Sequence, residues 1–259
     1  MARAPHARYA FIGDTARLPY GSKSRRTIAR YAAQSARFLV GEQGADYLVI
    51  ACNTASALAL DAIQEAVPSS ISVIGVIEPG AETALRASRT GDVLVIATDA
   101  TVHSHAYAAA CRARDLRALE KACPLLVPLV EEGWTDPDMQ TGGVTAQVLR
   151  IYLDELLAEA ASAGMNPDTL VLGCTHYPLL KPLIQEAIPA GIQVIDSAES
   201  AAEKLVMHLS GDFDAPPPFN PGDPIINCFA TDSVEKFERL GSRFLGRPTG
   251  PVELVDLGG

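Results

Sequence analysis

The chain has 259 residues, of which 48% are hydrophobic and 20% are charged, and its formal net charge is −10 at pH 7. This length and composition are ordinary for a folded protein of one large or two modest domains, and they exclude a disordered chain. The acidic balance argues against a nucleic-acid backbone or an anionic membrane as the main partner, because both favour basic surfaces. A local pocket can still bind a small anionic substrate.

The five cysteines are an odd number and are unevenly spaced, in a chain too long to need disulfide bonds for its stability. The N-terminal stretch MARAPHARYAFIG has no apolar run long enough for a signal peptide, and no segment approaches membrane-spanning length. We therefore expect a cytoplasmic protein whose thiols are free for chemistry.

Short apolar runs alternate with longer amphipathic stretches along the chain. The runs predicted to be strands are, in chain order, RYAFI, DYLVIA, ISVIGV, DVLVIA, TLVLG, IQVID and PIINCFA. Helices are predicted at residues 24–40 with Ser24 as N-cap, at residues 55–66, and at residues 143–163 with Gly164 as the stop. A proline-rich segment, residues 211–224, is predicted to connect to a final strand and helix.

Several predicted strands are apolar at consecutive positions, which is typical of parallel sheets covered by helices on both faces. The alternation therefore predicts the α/β class with parallel sheets. An eight-stranded barrel and doubly wound sheets both fit this pattern. The choice between them depends on a duplicated segment.

Two segments about half the chain apart share one pattern. Residues 48–55 read LVIACNTA and residues 170–177 read LVLGCTHY. In each, an apolar run ends in a small residue, which is followed by a cysteine and two polar residues. Cys52 and Cys174 are therefore expected at the carboxyl ends of strands, where open α/β sheets bind ligands. A barrel could also place both thiols on one face, so the duplication favours two similar halves without excluding the barrel.

Two matched thiols suit proton transfer at a carbon atom. The ordinary pKa of a cysteine thiol is ~8.5, so the thiolate base is accessible near neutral pH. A thiolate on one face of a tetrahedral carbon can remove a proton while a thiol on the other face returns one, and the configuration is inverted. Cys111, Cys123 and Cys228 lack the duplicated setting and are interpreted as small buried hydrophobic residues.

The residues that follow the two thiols suit a carboxylate substrate. Asn53, Thr54 and Thr175 offer amide and hydroxyl groups together with backbone N–H groups. His176 is placed to hydrogen-bond near Cys174 and to keep that thiol poised. Neither a CxxC nor an HExxH pattern occurs, and no glycine-rich stretch has phosphate-loop spacing, so the sequence predicts no metal site and no nucleotide site.

Seven segments together are similar to motifs of the cofactor-independent aspartate/glutamate racemase family, in the family's order. They are GDTARLPYGSKS, VIACNTASA, VIGVIEPGA, CPLLVPLVEEG, LVLGCTHYPLL, VIDSA and TDSVEKF. The resemblance implies two pseudo-symmetric, doubly wound parallel-sheet domains with the active site in the cleft between them. It places the first domain at residues 1–76 plus 186–259 and the second at residues 77–185. It also implies a homodimer that needs no metal, nucleotide or pyridoxal cofactor.

The resemblance assigns a role to individual residues. Cys52 is similar to the thiol that handles the Cα proton on the D-glutamate face, and Cys174 to its counterpart on the L face. The residues similar to substrate-binding positions are Tyr20, Gly21, Asn53, Thr54, Thr98, Thr101 and Thr175, with His176 beside the second thiol. Glu131 or Glu132 corresponds to a glutamate of the cleft, and the sequence does not distinguish between the two.

The family's N-terminal strand and its Asp-Ser-Gly-x-Gly-Gly motif have no counterpart in this sequence. We expect either that the true start lies upstream or that the chain is naturally shortened. The implied function is interconversion of L- and D-glutamate, which supplies D-glutamate for peptidoglycan. The alternatives are racemisation of aspartate or a related amino acid, and glutamate binding by a catalytically impaired protein.

Overall fold

The computed structural model describes residues 7–136, 140–212 and 226–258. In chain order, the strands are β1 (Tyr9–Gly13), β2 (Tyr47–Val49), β3 (Ser72–Ile74), β4 (Asp92–Ala97), β5 (Arg117–Ala122), β6 (Thr169–Gly173), β7 (Gln193–Asp196), β8 (Ile226–Ala230) and β9 (Val252–Leu254). The helices are α1 (Arg25–Gly41), α2 (Asn53–Leu58), α3 (Leu60–Ala66), α4 (Ile77–Ala87), α5 (Asp99–Ser104), α6 (Ala106–Arg112), α7 (Leu126–Glu131), α8 (Gln140–Ser162), α9 (Lys181–Ala187), α10 (Ser197–Asp212) and α11 (Val234–Leu245).

The chain divides into two compact units. The first comprises Met1–Val49, Ala59–Ile74 and Ala202–Gly259, and the second comprises Ile50–Leu58 and Gly75–Ala201. Residues 50–58 and 186–201 thus fall in the second unit, whereas the domain ranges predicted from the sequence assigned them to the first. For the later segment the reason is strand pairing, because β7 pairs with β6. The predicted domain ranges themselves stay a prediction.

The first unit contains two parallel sheets, ordered β1-β8-β9 and β2-β3. Helix α1 begins as predicted, because the Ser24 hydroxyl accepts a hydrogen bond from the backbone N–H of Thr27 at 3.3 Å. The ring of Phe38 on α1 meets the ring of Phe229 on β8 edge-on, with 5.1 Å between centroids. Phe237 on α11 packs with the buried residues of β8.

The second unit has one parallel sheet, ordered β5-β4-β6-β7. Its central strands β4 and β6 are buried along their whole length. Successive side chains point to opposite faces, so each strand contributes to two hydrophobic clusters. One cluster contains Leu94, Ile96, Leu170 and Leu172 together with residues of α7, α8 and α9. The other contains Val93, Val95 and Val171 with residues of α4 and α6.

The predicted α/β class is confirmed, and every strand pairing in the described residues is parallel. Each predicted apolar run contains a strand. The helix predicted at residues 55–66 is instead two helices, because the backbone of Ala59 leaves the helical region (φ −129°, ψ 0°) between α2 and α3. Helix α8 ends as predicted before Gly164, whose positive φ of 63° suits a residue without a side chain.

The connection predicted at residues 211–224 falls outside the described residues from position 213 onward. No helix in the described part of the chain is both long and apolar enough to cross a membrane.

Candidate active site

The candidate site lies in the second unit, at the carboxyl ends of its two central strands. Ala97 at the end of β4 pairs with Gly173 at the end of β6. Thr98 and Cys174 therefore leave neighbouring strands at the same edge of the sheet, where parallel sheets bind ligands. A shallow groove lined by Arg89, Asp168 and other residues that precede strands lies at the opposite ends of these strands.

The turn that carries Cys174 is fixed by the residues on either side of it. A Cβ atom added at Gly173 would lie 2.9 Å from the carbonyl oxygen of Ile96, so only glycine fits there. Tyr177 is fully buried, and its hydroxyl lies 3.1 Å from the carbonyl oxygen of Ala97 and 2.9 Å from that of Cys123. The Cys174 turn is thereby held against the end of β4.

The turn that carries Cys52 belongs to the same unit and is hydrogen-bonded to the Cys174 turn. The Thr175 hydroxyl donates to the carbonyl oxygen of Ala51 at 2.7 Å, which links the residue after one thiol to the residue before the other. The Ser56 hydroxyl donates to the carbonyl oxygen of Ile50 at 2.9 Å and accepts from the backbone N–H of Val76 at 3.2 Å. The structure therefore brings the two predicted thiol turns together.

Three threonine hydroxyls form a closed cluster beside the Cys52 turn. Thr54 lies 2.9 Å from Thr98 and 3.1 Å from Thr101, and Thr98 lies 2.9 Å from Thr101, each between Oγ1 atoms. Thr98 is the N-cap of α5, yet its side chain does not cap that helix. The cluster instead connects α2 to α5, so three predicted substrate-binding residues are in mutual contact.

A histidine lies beside the second thiol, and a carboxylate lies beside that histidine. The Nδ1 atom of His176 lies 3.9 Å from the Sγ atom of Cys174, and its Nε2 atom lies 3.4 Å from Oε1 of Glu131. Glu132, by contrast, is exposed. The structure therefore selects Glu131 as the glutamate near the second thiol, a choice that the sequence left open.

Burial governs the protonation of both thiols. It raises the pKa of Cys174 to about 12, against the lowering effect of the backbone N–H groups of His176 and Tyr177. Burial also raises the pKa of Cys52, against hydrogen bonds from Ala55 and Thr54. At both positions burial therefore favours the neutral thiol over the thiolate.

Asn53 and Tyr107 form a buried polar pair next to Cys52. The Tyr107 hydroxyl donates to Oδ1 of Asn53 at 2.6 Å, and both side chains are buried. Tyr107 was not among the predicted site residues. An aromatic residue on a helix with apolar neighbours usually belongs to the core, so its side-chain pattern gives no signal of a polar role.

Tyr20 and Gly21 lie in the first unit, in a 3₁₀ turn over Tyr20–Ser22. The Tyr20 hydroxyl donates to the carboxylate of Asp14. Asp14 also accepts a hydrogen bond from the Thr231 hydroxyl at 3.0 Å. The turn is thus anchored within the first unit, and the roles of Tyr20 and Gly21 stay predictions.

Comparison with known proteins places this arrangement in a family. Residues 1–205 match the family model described as Asp/Glu/Hydantoin racemase. The chain belongs to this racemase family. It is 49% identical to the glutamate racemase of Koribacter versatilis (strain Ellin345), with 98% of this chain and 90% of that protein covered. It is 45% identical to the glutamate racemase of Geobacter metallireducens, with 95% and 86% covered.

Solved structures of the racemase family have the same fold. The glutamate racemase of Francisella tularensis, crystallised in complex with D-glutamate, superposes with a TM-score of 0.84 at 32% identity, covering 98% of this chain and 89% of that one. The glutamate racemase isoform RacE1 from Bacillus anthracis gives a TM-score of 0.86 at 35% identity, covering 99% and 90%. The racemase resemblance that the sequence motifs indicated is confirmed.

Proposed function

We propose that this protein is a glutamate racemase that interconverts L- and D-glutamate. Two relatives of that name are 49% and 45% identical over nearly the whole chain, and a structural relative was crystallised with D-glutamate. The observation that carries the chemistry is the hydrogen bond between Thr175 and Ala51, which joins the two thiol turns at 2.7 Å. The enzyme is a cofactor-independent isomerase.

The reaction uses Cys52 and Cys174 as an acid and a base. The thiolate of one cysteine takes the Cα proton of glutamate, and the electron pair of the C–H bond moves into the carboxylate to form an enolate. The thiol of the other cysteine then gives its proton to the opposite face of Cα. The product has inverted configuration, and the two sulfur atoms have exchanged protonation states.

The raised pKa values of the thiols set a requirement on substrate binding. Since burial favours neutral thiols at both positions, a thiolate must form in the presence of a positive charge. The ammonium group of the amino-acid substrate supplies that charge. His176, held near Glu131, is proposed to hydrogen-bond to the second thiol.

The remaining site residues bind the substrate in this proposal. Asn53, Thr54 and Thr175 contact a carboxylate, and Thr98 and Thr101 shape the wall next to Thr54. Tyr20 and Gly21 are proposed to contact the substrate, on the basis of the family resemblance. The proposed product supplies peptidoglycan synthesis in the cytoplasm, and the proposed assembly is a homodimer, which sedimentation of the purified protein would test.

The test of this function is exchange of the Cα hydrogen of L- and D-glutamate in deuterated water. We expect the unmodified protein to exchange and invert both enantiomers, and Cys52→Ser and Cys174→Ser each to lower racemisation by about 10²–10⁴-fold. Cys228→Ala, which removes a buried thiol of the first unit, is the matched control and should retain activity.

Other outcomes have a definite meaning. Racemisation that survives both serine substitutions would rule out the two-thiol mechanism. Binding of glutamate without any Cα exchange would identify a binding protein rather than an enzyme. Faster turnover of aspartate than of glutamate in a competition assay would reassign the substrate.

A further inference from the structure

The side chain of Tyr107 is fully buried and is confined by two glycines. A Cβ atom added at Gly80 would lie 3.2 Å from Cε1 of the ring, and one added at Gly173 would lie 3.0 Å from Cε2. Only glycine allows the backbone to approach both edges of the ring so closely. Tyr107 is therefore held in a fixed position against Gly173, the last residue of β6, which directly precedes Cys174.

The hydroxyl of Tyr107 determines how the amide of Asn53 is turned. It donates to Oδ1 of Asn53 at 2.6 Å. Burial raises the pKa of Tyr107, against the lowering effect of the Ser197 hydroxyl, so the phenol keeps the proton that it donates. With the amide oxygen facing Tyr107, the NH₂ group of Asn53 faces away from it.

That NH₂ group is a donor left for a ligand. Asn53 is 3% exposed, and its hydrogen bond with Tyr107 involves the amide oxygen, so the NH₂ group is the part of this side chain that can donate to a ligand. Asn53 directly follows Cys52 in the chain, so its backbone belongs to the turn that carries the first thiol.

The helix that carries Tyr107 is itself anchored. Glu120 on β5, whose side chain is 5% exposed, accepts a hydrogen bond from the backbone N–H of Ala108 at 3.4 Å. It also lies 3.2 Å from Nδ1 of His105, the residue before α6. The start of α6 is thereby attached to the sheet, so Tyr107 has little freedom to release Asn53.

We propose that Tyr107 is a positioning residue for substrate binding, whose hydroxyl orients the Asn53 amide so that its NH₂ group donates to the substrate carboxylate. This inference rests on the proposed function, which makes Asn53 a carboxylate ligand. Tyr107 does not touch the substrate and takes no proton from it. Its contribution is to hold one donor in the binding orientation before the substrate arrives.

Replacing Tyr107 with phenylalanine tests the proposal, because the ring and its packing remain while the hydroxyl is lost. We expect the KM for both enantiomers of glutamate to rise roughly 5- to 10-fold, which is the loss of about one neutral hydrogen bond, with a smaller change in kcat. Tyr152→Phe is the matched control. Its hydroxyl contacts the backbone of Leu125, and its side chain packs against the hydrophobic cluster on the opposite face of the sheet from Tyr107, so the variant should keep the wild-type KM.

A double-mutant cycle separates positioning from general structural support. Asn53→Ala should weaken binding of D-glutamate in calorimetry, and adding Tyr107→Phe to that variant should weaken it no further. Additive losses would show that Tyr107 acts independently of Asn53 and would overturn the proposal. So would an unchanged KM in Tyr107→Phe alongside a raised KM in Asn53→Ala, even though the racemase function would stand. Failure of the unmodified protein to exchange the Cα hydrogen would instead refute the proposed function.

Discussion

At the scale of single residues, the pair of adjacent glutamates at the end of α7 shows how position decides chemistry. Glu131 lies 3.4 Å from Nε2 of His176, whereas Glu132 is exposed. Glu131 therefore places a negative charge beside the imidazole that contacts Cys174, and Glu132 does not. The two glutamates therefore have different surroundings although their side chains are chemically identical and adjacent in sequence.

Glu131→Gln is expected to lower kcat about 10-fold, because the amide keeps the shape of the side chain and removes its charge from His176. Steady-state racemisation in both directions measures the effect. Glu132→Gln makes the same change in net charge at the neighbouring position and should leave kcat within twofold. Equal losses in the two variants would mean that the overall charge of this helix end, rather than the contact with His176, supports the reaction.

The sequence alone predicted Cys52 and Cys174 as the candidate thiols. The contacts of Glu131 and Tyr107 with other site residues became apparent only in the structure. Cys52 and Cys174 stand out because their local contexts are duplicated, and this signal needs no coordinates. Glu131 and Tyr107 contact residues distant in sequence, at 3.4 Å from His176 and 2.6 Å from Asn53. Such contacts depend on which strands are neighbours, and a single sequence does not give that order.

At the scale of elements, the strands that were predicted are the apolar ones. β4 and β6 are buried on both faces, so their sequences are continuous apolar runs. β5 was missed because it reads RALEKA, a composition typical of helices, and it occupies the edge of the sheet, where charged side chains reach solvent. β9 was missed because it has only three residues.

Asp168 connects the start of β6 to the loop before β4. Its carboxylate accepts hydrogen bonds from the Ser88 hydroxyl at 2.6 Å and from the backbone N–H groups of Arg89 at 2.7 Å and Thr90 at 3.1 Å. Burial acts to raise the pKa of Asp168, but the hydrogen bonds from Ser88, Arg89 and Thr169 outweigh it and lower the pKa to about 2. The loop is therefore held by an ionised carboxylate.

This lowered pKa predicts an acid-dependent stability. The ordinary pKa of aspartate is ~3.9, so the contribution is fully present above pH ~4 and is lost as the pH falls to about 2. Asp168→Asn should lower the free energy of unfolding by about 1–3 kcal/mol at pH 7, and the difference from the unmodified protein should shrink toward pH 2. Denaturant titrations at several pH values measure this, with the exposed Asp154→Asn as control. A difference that is constant with pH would contradict the role of ionised Asp168.

At the scale of the whole molecule, the two compact units differ in how their cores are built. The second unit has a four-stranded sheet with a hydrophobic cluster on each face. The first has a three-stranded and a two-stranded sheet. Most of the buried thiols are in the second unit, where Cys111, Cys123 and Cys174 lie in these two clusters. The unit that carries the proposed chemistry also buries Cys111 and Cys123, which have no proposed catalytic role.

These buried thiols predict a loss of stability in alkali. Burial raises the pKa of Cys111 to about 11 and the pKa values of Cys123 and Cys174 to about 12, whereas in the unfolded chain a thiol ionises near ~8.5. Since the unfolded state releases these protons first, the stabilisation is complete below pH ~8.5 and declines as the pH rises toward the folded values, by about 1.4 kcal/mol per pH unit for each thiol.

Denaturant unfolding under reducing conditions between pH 8 and pH 10.5 measures this decline. In Cys111→Ala, the free energy of unfolding should fall less steeply with pH, because one of the contributing thiols is gone. Alanine fills less space than cysteine, so the variant is expected to be less stable at pH 8, and the slope with pH is the quantity to compare.

Cys228→Ala is a useful second variant, because burial raises that thiol's pKa too but the residue belongs to the first unit. If the two units unfold separately, the slope of the second unit's transition should respond to Cys111 and not to Cys228. A free energy of unfolding that stays flat over this pH range would contradict neutral buried thiols, and with them the requirement that the substrate's positive charge creates the thiolate.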